Sequence, residues 1–198
     1  MGSARLLVVV AVLGVAGVGS YVLYELLEEH FEQVADDFIC VVPGKLYRSD
    51  QPRGRMRLML QRHDIGTVVD LRARSEDPHM FDKTEARSDA VGATFVSIPV
   101  AAIVPTDEQF TQFLATVRSA DRPVLVHCEH GKSRTGIMVA AYRIVVQGWP
   151  VDRALQEMTQ YGYKTDDKNH AARLEALQRF RQDRAQWLAR MGPANLDS

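Results

Sequence analysis

Cysteine is scarce in this chain: two among 198 residues, Cys40 and Cys128. Two do not make a disulfide framework, which excludes the stapled scaffolds of small secreted proteins. A Cys40–Cys128 bond would consume the thiol singled out below, so both are read as thiols or at most as a redox switch. A charge excess is missing too. Lys and Arg number 24 against 25 Asp and Glu, a formal net charge of −1, so composition points to no nucleic-acid partner and no disordered charged tail. No His, Cys, Asp and Glu grouping has metal-ligand spacing, and no metal or cofactor is expected. There is no internal repeat.

What the chain does have is one long apolar run. From Leu6 to Leu27 it carries a single charge, Glu25, near the end. About 20 such residues can span a bilayer. The expectation is an uncleaved transmembrane anchor over 6–27, after a short flank at 1–5 and before a polar spacer at 28–37. A cleaved signal peptide ending near Gly17-Val18-Gly19 is the alternative. A single-pass membrane location follows. Arg5 on one side and the acids from Glu25 to Asp37 on the other place the following domain outside the cytoplasm by the positive-inside rule. A free reactive thiol argues for the reducing cytosol instead. The side is open.

About 160 residues remain, enough for one domain, expected over 38–190 with a tail at 191–198. Apolar runs at Phe38–Val42, Lys45–Ser49, Thr67–Leu71, Thr94–Ile98 and Pro123–Val126 read as strands. Helical patterns fall at Arg55–Arg62, Lys83–Val91, after Thr106, from Thr135, over Val151–Tyr161 and, as one long helix, over Asn169–Arg190. Arg72 to Asp82 reads as a surface loop. The alternation argues for an α/β sandwich with a mainly parallel sheet.

The chemistry gathers in one stretch, His127-Cys128-Glu129-His130-Gly131-Lys132-Ser133-Arg134-Thr135-Gly136. It lies between a buried strand and a helix start, where backbone N–H groups and the helix dipole favour an anion. The five residues between Cys128 and Arg134 suffice to wrap once around a tetrahedral oxyanion. Arg134 can then grip two of its oxygens as a planar fork. Converging amides, a helix N-terminus and a cation all stabilise a thiolate, the nucleophilic form. Gly131 suits a sharp turn close to a ligand.

His-Cys-x5-Arg followed by Thr-Gly resembles the phosphate-binding loop of cysteine-dependent protein tyrosine and dual-specificity phosphatases. Tyr47-Arg48-Ser49-Asp50-Gln51-Pro52 resembles the opening phrase of an atypical bacterial and fungal branch. Gly148-Trp149-Pro150 with Leu155 and Met158 resembles the helix after the loop helix. The resemblance covers roughly Phe38 to Trp187. It implies a dual-specificity phosphatase-like fold and phosphate monoester hydrolysis through a phosphocysteine. Cys128 would be the nucleophile. Glu129, His130, Gly131, Lys132, Ser133 and Arg134 would bind phosphate, Thr135 would bond the sulfur, and His127 would tune the cysteine from behind.

Relatives of this type usually supply an acidic residue from the loop that is Pro99–Pro105 here, and that loop has no carboxylate. Asp107 is the expected general acid, with helix-start stabilisation as its other reading; Glu108, Asp70, Asp166 and Asp167 are further candidates. Asp70 and Arg72 read first as an ion pair supporting a loop. The default substrate is phosphotyrosine in a protein, the alternative a phosphoinositide or inositol (pyro)phosphate. A silent phosphate-binding module and a cysteine redox enzyme are readings from other classes.

Overall fold

A computed structural model describes residues 38–191, apart from 102 and 167. Five strands form one sheet in the order β1-β2-β5-β3-β4: β1 Ile39–Val42, β2 Leu46–Ser49, β3 Thr67–Asp70, β4 Thr94–Ser97 and β5 Val124–His127. β1 runs antiparallel to β2, joined through the tight turn at Pro43-Gly44; the other three pairings are parallel. The sheet is therefore mixed at one edge and parallel elsewhere. Every residue of β5 is buried, as a central strand covered on both faces must be.

Strand alternation sorts side chains between two layers. Val69, Val124 and Val126 join the larger core, with helices α3 (Asp107–Ser119), α4 (Ser133–Val145), α5 (Val151–Gln160), α6 (His170–Gln182) and α7 (Arg184–Arg190). Val68 and Leu125 join a smaller core with α1 (Met56–Arg62). α2 (Pro78–Asp89) packs on the outer strand, with Phe81 edge-on to Phe95. α4 is almost wholly buried. Its Arg143 stacks on Trp149, donates to the Val41 carbonyl and pairs with Glu157 of α5, tying helix, edge strand and neighbouring helix together.

Two elements depart from the sequence expectation. The loop expected over Arg72–Asp82 holds a 3-10 turn at Arg74–Glu76, and α2 starts five residues early. Pro78 opens that helix instead of blocking it, since the first turn needs no proline N–H, and the Asp77 carboxylate accepts from the Met80 N–H as a cap. The long C-terminal helix breaks at Asp183. The break lets Trp187 fold back edge-on against Phe180, which itself meets Phe110 at 4.4 Å between centroids.

The expected fold class also included a transmembrane helix, and that part is corrected. Among the described residues no helix is long and apolar enough to cross a membrane. The longest have 13 residues, about 20 Å at 1.5 Å per residue against a hydrocarbon core of about 30 Å. The run at 6–27 and the spacer at 28–37 lie outside the described residues, as does most of the tail.

Candidate active site

Three strands end level with one another. Ser49 of β2 and Asp70 of β3 both sit opposite His127 of β5, so the chain leaves the sheet at Asp50, Leu71 and Cys128 along one edge. The carboxyl ends of parallel strands are where open α/β sheets place ligands. Cys128 is 3% exposed, at the floor of the loop that follows β5. That loop rises directly into α4. Lys132 stands at the N-cap position of α4 without a side-chain cap, and no acid lies in the first turn. The first N–H groups of a helix have no intrahelical acceptor, so this end is open to an anion.

The loop is held from behind. The buried Arg48 guanidinium donates to the Gly131 carbonyl and stacks over Tyr161. The Gln51 N–H donates to the Glu129 carbonyl at 3.2 Å. Gly131 has φ +65°, and a Cβ there would lie 2.8 Å from the Ser49 carbonyl oxygen and 2.9 Å from the Asp50 nitrogen. Only glycine allows the loop to lie this close to the segment after β2. The phrase Tyr47–Pro52, legible in the sequence only as a resemblance, thus acts as the loop's back support.

Beneath the cysteine, His127 and Asp70 are fully buried, with His127 Nδ1 3.8 Å from Asp70 Oδ1. Asp70 accepts from the Arg72 backbone N–H at 2.9 Å and pairs with its guanidinium at 3.3 Å, the loop-supporting ion pair expected of them. Burial pushes the His127 imidazolium pKa down, Asp70 pulls it back up, and Arg72 adds to the lowering; the net direction is down. Thr135 is fully buried, and its hydroxyl makes no hydrogen bond among the described residues, so the expected bond to sulfur is not formed here.

The rim is rich in basic side chains. A cavity of about 400 Å3 has Cys128 at its base, Ser133 and Arg134 on one side, and His130, Lys132 and Lys164 around it. Arg134 does not stand free. Its Nη1 donates to both Glu76 oxygens at 2.8 and 2.9 Å, and its Nη2 lies 3.8 Å from Glu129. Sequence reading did not single out Glu76, because it sits 58 residues before Arg134 in a stretch that reads as a plain loop. Asp107 is directed elsewhere: its carboxylate pairs with Arg190 at 3.0 Å and Arg179 at 3.9 Å. Among the described residues no group of acidic, His and Cys side chains could hold a metal ion.

Cys40 is an exposed free thiol on β1. It sits opposite Tyr47, itself opposite Leu125, two strands and three residues from Cys128. At sheet spacings that is on the order of 14 Å, well beyond the roughly 7 Å limit between bridged Cα atoms. The geometry does not pair the two thiols.

Comparison with known proteins agrees with this arrangement. Residues 43–178 match the PTP-NADK family, described as DSP-PTPase phosphatase fused to NAD+ kinase. The chain belongs to this family. The family is one of phosphatases of the dual-specificity type. The dual specificity protein phosphatase TpbA of Pseudomonas aeruginosa is 37% identical over 124 residues, 62% of this chain and 53% of TpbA. The chain thus spans about half the length of that relative. A crystal structure of P. aeruginosa TpbA superposes with a TM-score of 0.62 at 31% identity, covering 75% of this chain and 91% of the other. The catalytic core of SIW14 from S. cerevisiae, a PP-IP phosphatase, superposes with a TM-score of 0.64 at 19% identity, covering 82% and 98%. At that identity the likeness is one of fold.

Proposed function

We propose that this phosphatase hydrolyses phosphate monoesters through a phosphocysteine at Cys128, with phosphotyrosine in a protein as its substrate. The observation that carries the reading is a buried thiol at the foot of an uncapped helix, with a guanidinium at the mouth of the same loop. Cys128 thiolate attacks phosphorus in line, and the bond to the leaving oxygen breaks. Arg134 and the amides from Glu129 to Arg134 take the charge on the other three oxygens; such preorganised donors are commonly the largest catalytic contribution. Water then attacks the phosphocysteine and releases inorganic phosphate. The buried Thr135 hydroxyl, without a protein partner, is available to the departing sulfur. His127, whose imidazolium form burial disfavours, lies at the strand end behind the nucleophile.

The phosphotyrosine reading draws support from TpbA, of which a complex with pTyr has been solved. One local feature favours a second reading, an inositol polyphosphate or phosphoinositide. His130, Lys132 and Lys164 ring the cavity mouth, and further phosphates on the substrate would meet them.

The test is turnover of p-nitrophenyl phosphate by the full chain beside Cys128→Ser. Turnover is expected to fall by more than about 10⁴-fold, since a nucleophile acts as a unit with its partners, while orthovanadate binding survives. Retained turnover in Cys128→Ser would sink the mechanism. A panel of phosphotyrosyl peptides and inositol phosphates then separates the two substrate readings.

A further inference from the structure

We propose that Glu76 is the proton donor to the leaving oxygen, released for that task when the substrate's phosphoryl group takes Arg134 from it. This rests on the phosphocysteine reading above and supplies the group that reading lacks.

The loop from Pro99 to Pro105 carries no carboxylate. Asp107 is occupied by Arg190 and Arg179. Asp70 is fully buried beneath the cysteine and clamped by Arg72. Glu108 and Asp166 make no ion pair with Arg134, and Asp167 lies outside the described residues. Among the described residues two carboxylates contact the Arg134 guanidinium, Glu76 and Glu129. Glu129 is the looser: the His130 ring Nδ1 lies at 3.7 Å and Arg134 Nη2 at 3.8 Å, and its side chain is 55% exposed.

Glu76 is held by its own turn. It closes the 3-10 turn Arg74–Glu76, and its Oε1 accepts the Ala73 backbone N–H at 2.8 Å. That bond does not involve Arg134, so the Glu76 carboxyl keeps its anchor when the guanidinium leaves it. Oε1 keeps the Ala73 N–H. Oε2, whose hydrogen-bond partner among the described residues is Arg134, is then available to carry a proton.

The electrostatics reverse on binding. In the ligand-free site burial pushes the Glu76 carboxyl pKa up. The Arg134 hydrogen bond, the Ala73 N–H and the charges of Arg134 and Arg72 outweigh burial and hold it below its usual value. A phosphate dianion on Arg134 removes the first of these and screens the guanidinium charge. The Glu76 side chain is 36% exposed, so only a partial desolvation remains, and a like charge now faces the carboxylate; both favour the protonated form. Its other charged surroundings are Glu129 across Arg134 and the exposed pair between Arg74 of its own turn and Asp82 of α2. The same ion that needs an acid therefore creates one.

The step balances without a further reagent. As the sulfur–phosphorus bond forms and the phosphorus–oxygen bond breaks, the leaving oxygen takes the proton from Glu76 Oε2. In the second step the Glu76 carboxylate takes a proton from the attacking water while the thiolate departs, which restores the acid.

The experiment uses the full chain, Glu76→Gln, Glu76→Asp and Glu129→Gln, with two esters. The p-nitrophenolate anion leaves readily; the phenolate of phenyl phosphate needs a proton. Glu76→Gln is expected to cut kcat/KM on phenyl phosphate about 100-fold, the lower range for loss of a general acid. On p-nitrophenyl phosphate the loss is expected to be under about 10-fold on the same grounds. Glu76→Asp should recover part of the phenyl phosphate rate, and orthovanadate should bind Glu76→Gln at least as tightly as the unsubstituted chain. Equal losses on the two esters would reduce Glu76 to a residue that positions Arg134, and no loss would remove it; either overturns the proposal. So would Glu129→Gln reproducing the selective loss. If Cys128→Ser abolishes turnover while Glu76→Gln shows no ester selectivity, this proposal alone falls. If the unsubstituted chain turns over neither ester, the proposed function falls and takes this with it.

Discussion

Two helices of equal length, α3 and α4, begin in opposite ways. Thr106 caps α3 in a reciprocal box: its hydroxyl accepts the Gln109 N–H, and the Gln109 side chain accepts the Thr106 N–H at 2.8 Å. Asp107 and Glu108 add negative charge to the first turn. α4 has none of this. Its N-cap is a lysine without a capping bond, its first turn is Ser133-Arg134-Thr135, and no acid is present. Four N–H groups at any helix start need acceptors, and α3 supplies side-chain acceptors to the Thr106 and Gln109 N–H groups from its own sequence. α4 leaves the vacancy facing Cys128, which is how a chain reserves a helix end for a ligand anion. The difference also explains why Asp107, in the first turn of α3, is well suited to its own helix start.

The largest way to break this contrast is through the fork at the mouth of α4. Arg134→Lys keeps the charge but loses the planar pair of donors. We expect kcat/KM on p-nitrophenyl phosphate to fall about 100-fold, the scale of losing one preorganised donor. A loss under 3-fold would mean that charge alone closes the site. A smaller perturbation gives α4 what α3 already has. Lys132→Asp places a capping carboxylate where the ligand anion would sit. Orthovanadate affinity should weaken about 10-fold, roughly the effect of one unfavourable charge at a helix start, while thermal stability holds or rises. Unchanged affinity would show that the helix end contributes little to anion binding.

How much of this was legible in the sequence follows from the range of each interaction. The box at Thr106 and the loop from Cys128 to Arg134 are local patterns, and local patterns survive in a linear reading. So did the order of strands and helices, since each apolar run must bury itself. The turn at Arg74–Glu76 did not: its reason for being ordered is Ala73 capped by Glu76, in a stretch whose polarity and Pro78 suggest a loop. The contacts of Arg48 with Gly131 and of Arg134 with Glu76 join residues 83 and 58 positions apart. No periodicity carries information of that kind. The break at Asp183 answers to an aromatic cluster from three helices, again beyond any single window.

The finest test of the contrast leaves the site alone and removes the cap from α3. Thr106→Ala deletes the hydroxyl that accepts the Gln109 N–H, and the Gln109 side chain then keeps only its bonds to the Thr106 backbone and to the Pro99 carbonyl. Loss of such a cap costs about 1 kcal/mol of stability, read as a lower midpoint in urea at an unchanged slope. Orthovanadate should still stabilise this variant by the same increment as the unsubstituted chain, about 2.7 kcal/mol at a free concentration 100 times its Kd, because the anion serves α4 and not α3. If the increment changed with the cap, the two helix starts would be coupled through Pro99 and the loop that follows it. The reservation of one helix end for a ligand would then be a property of the pair.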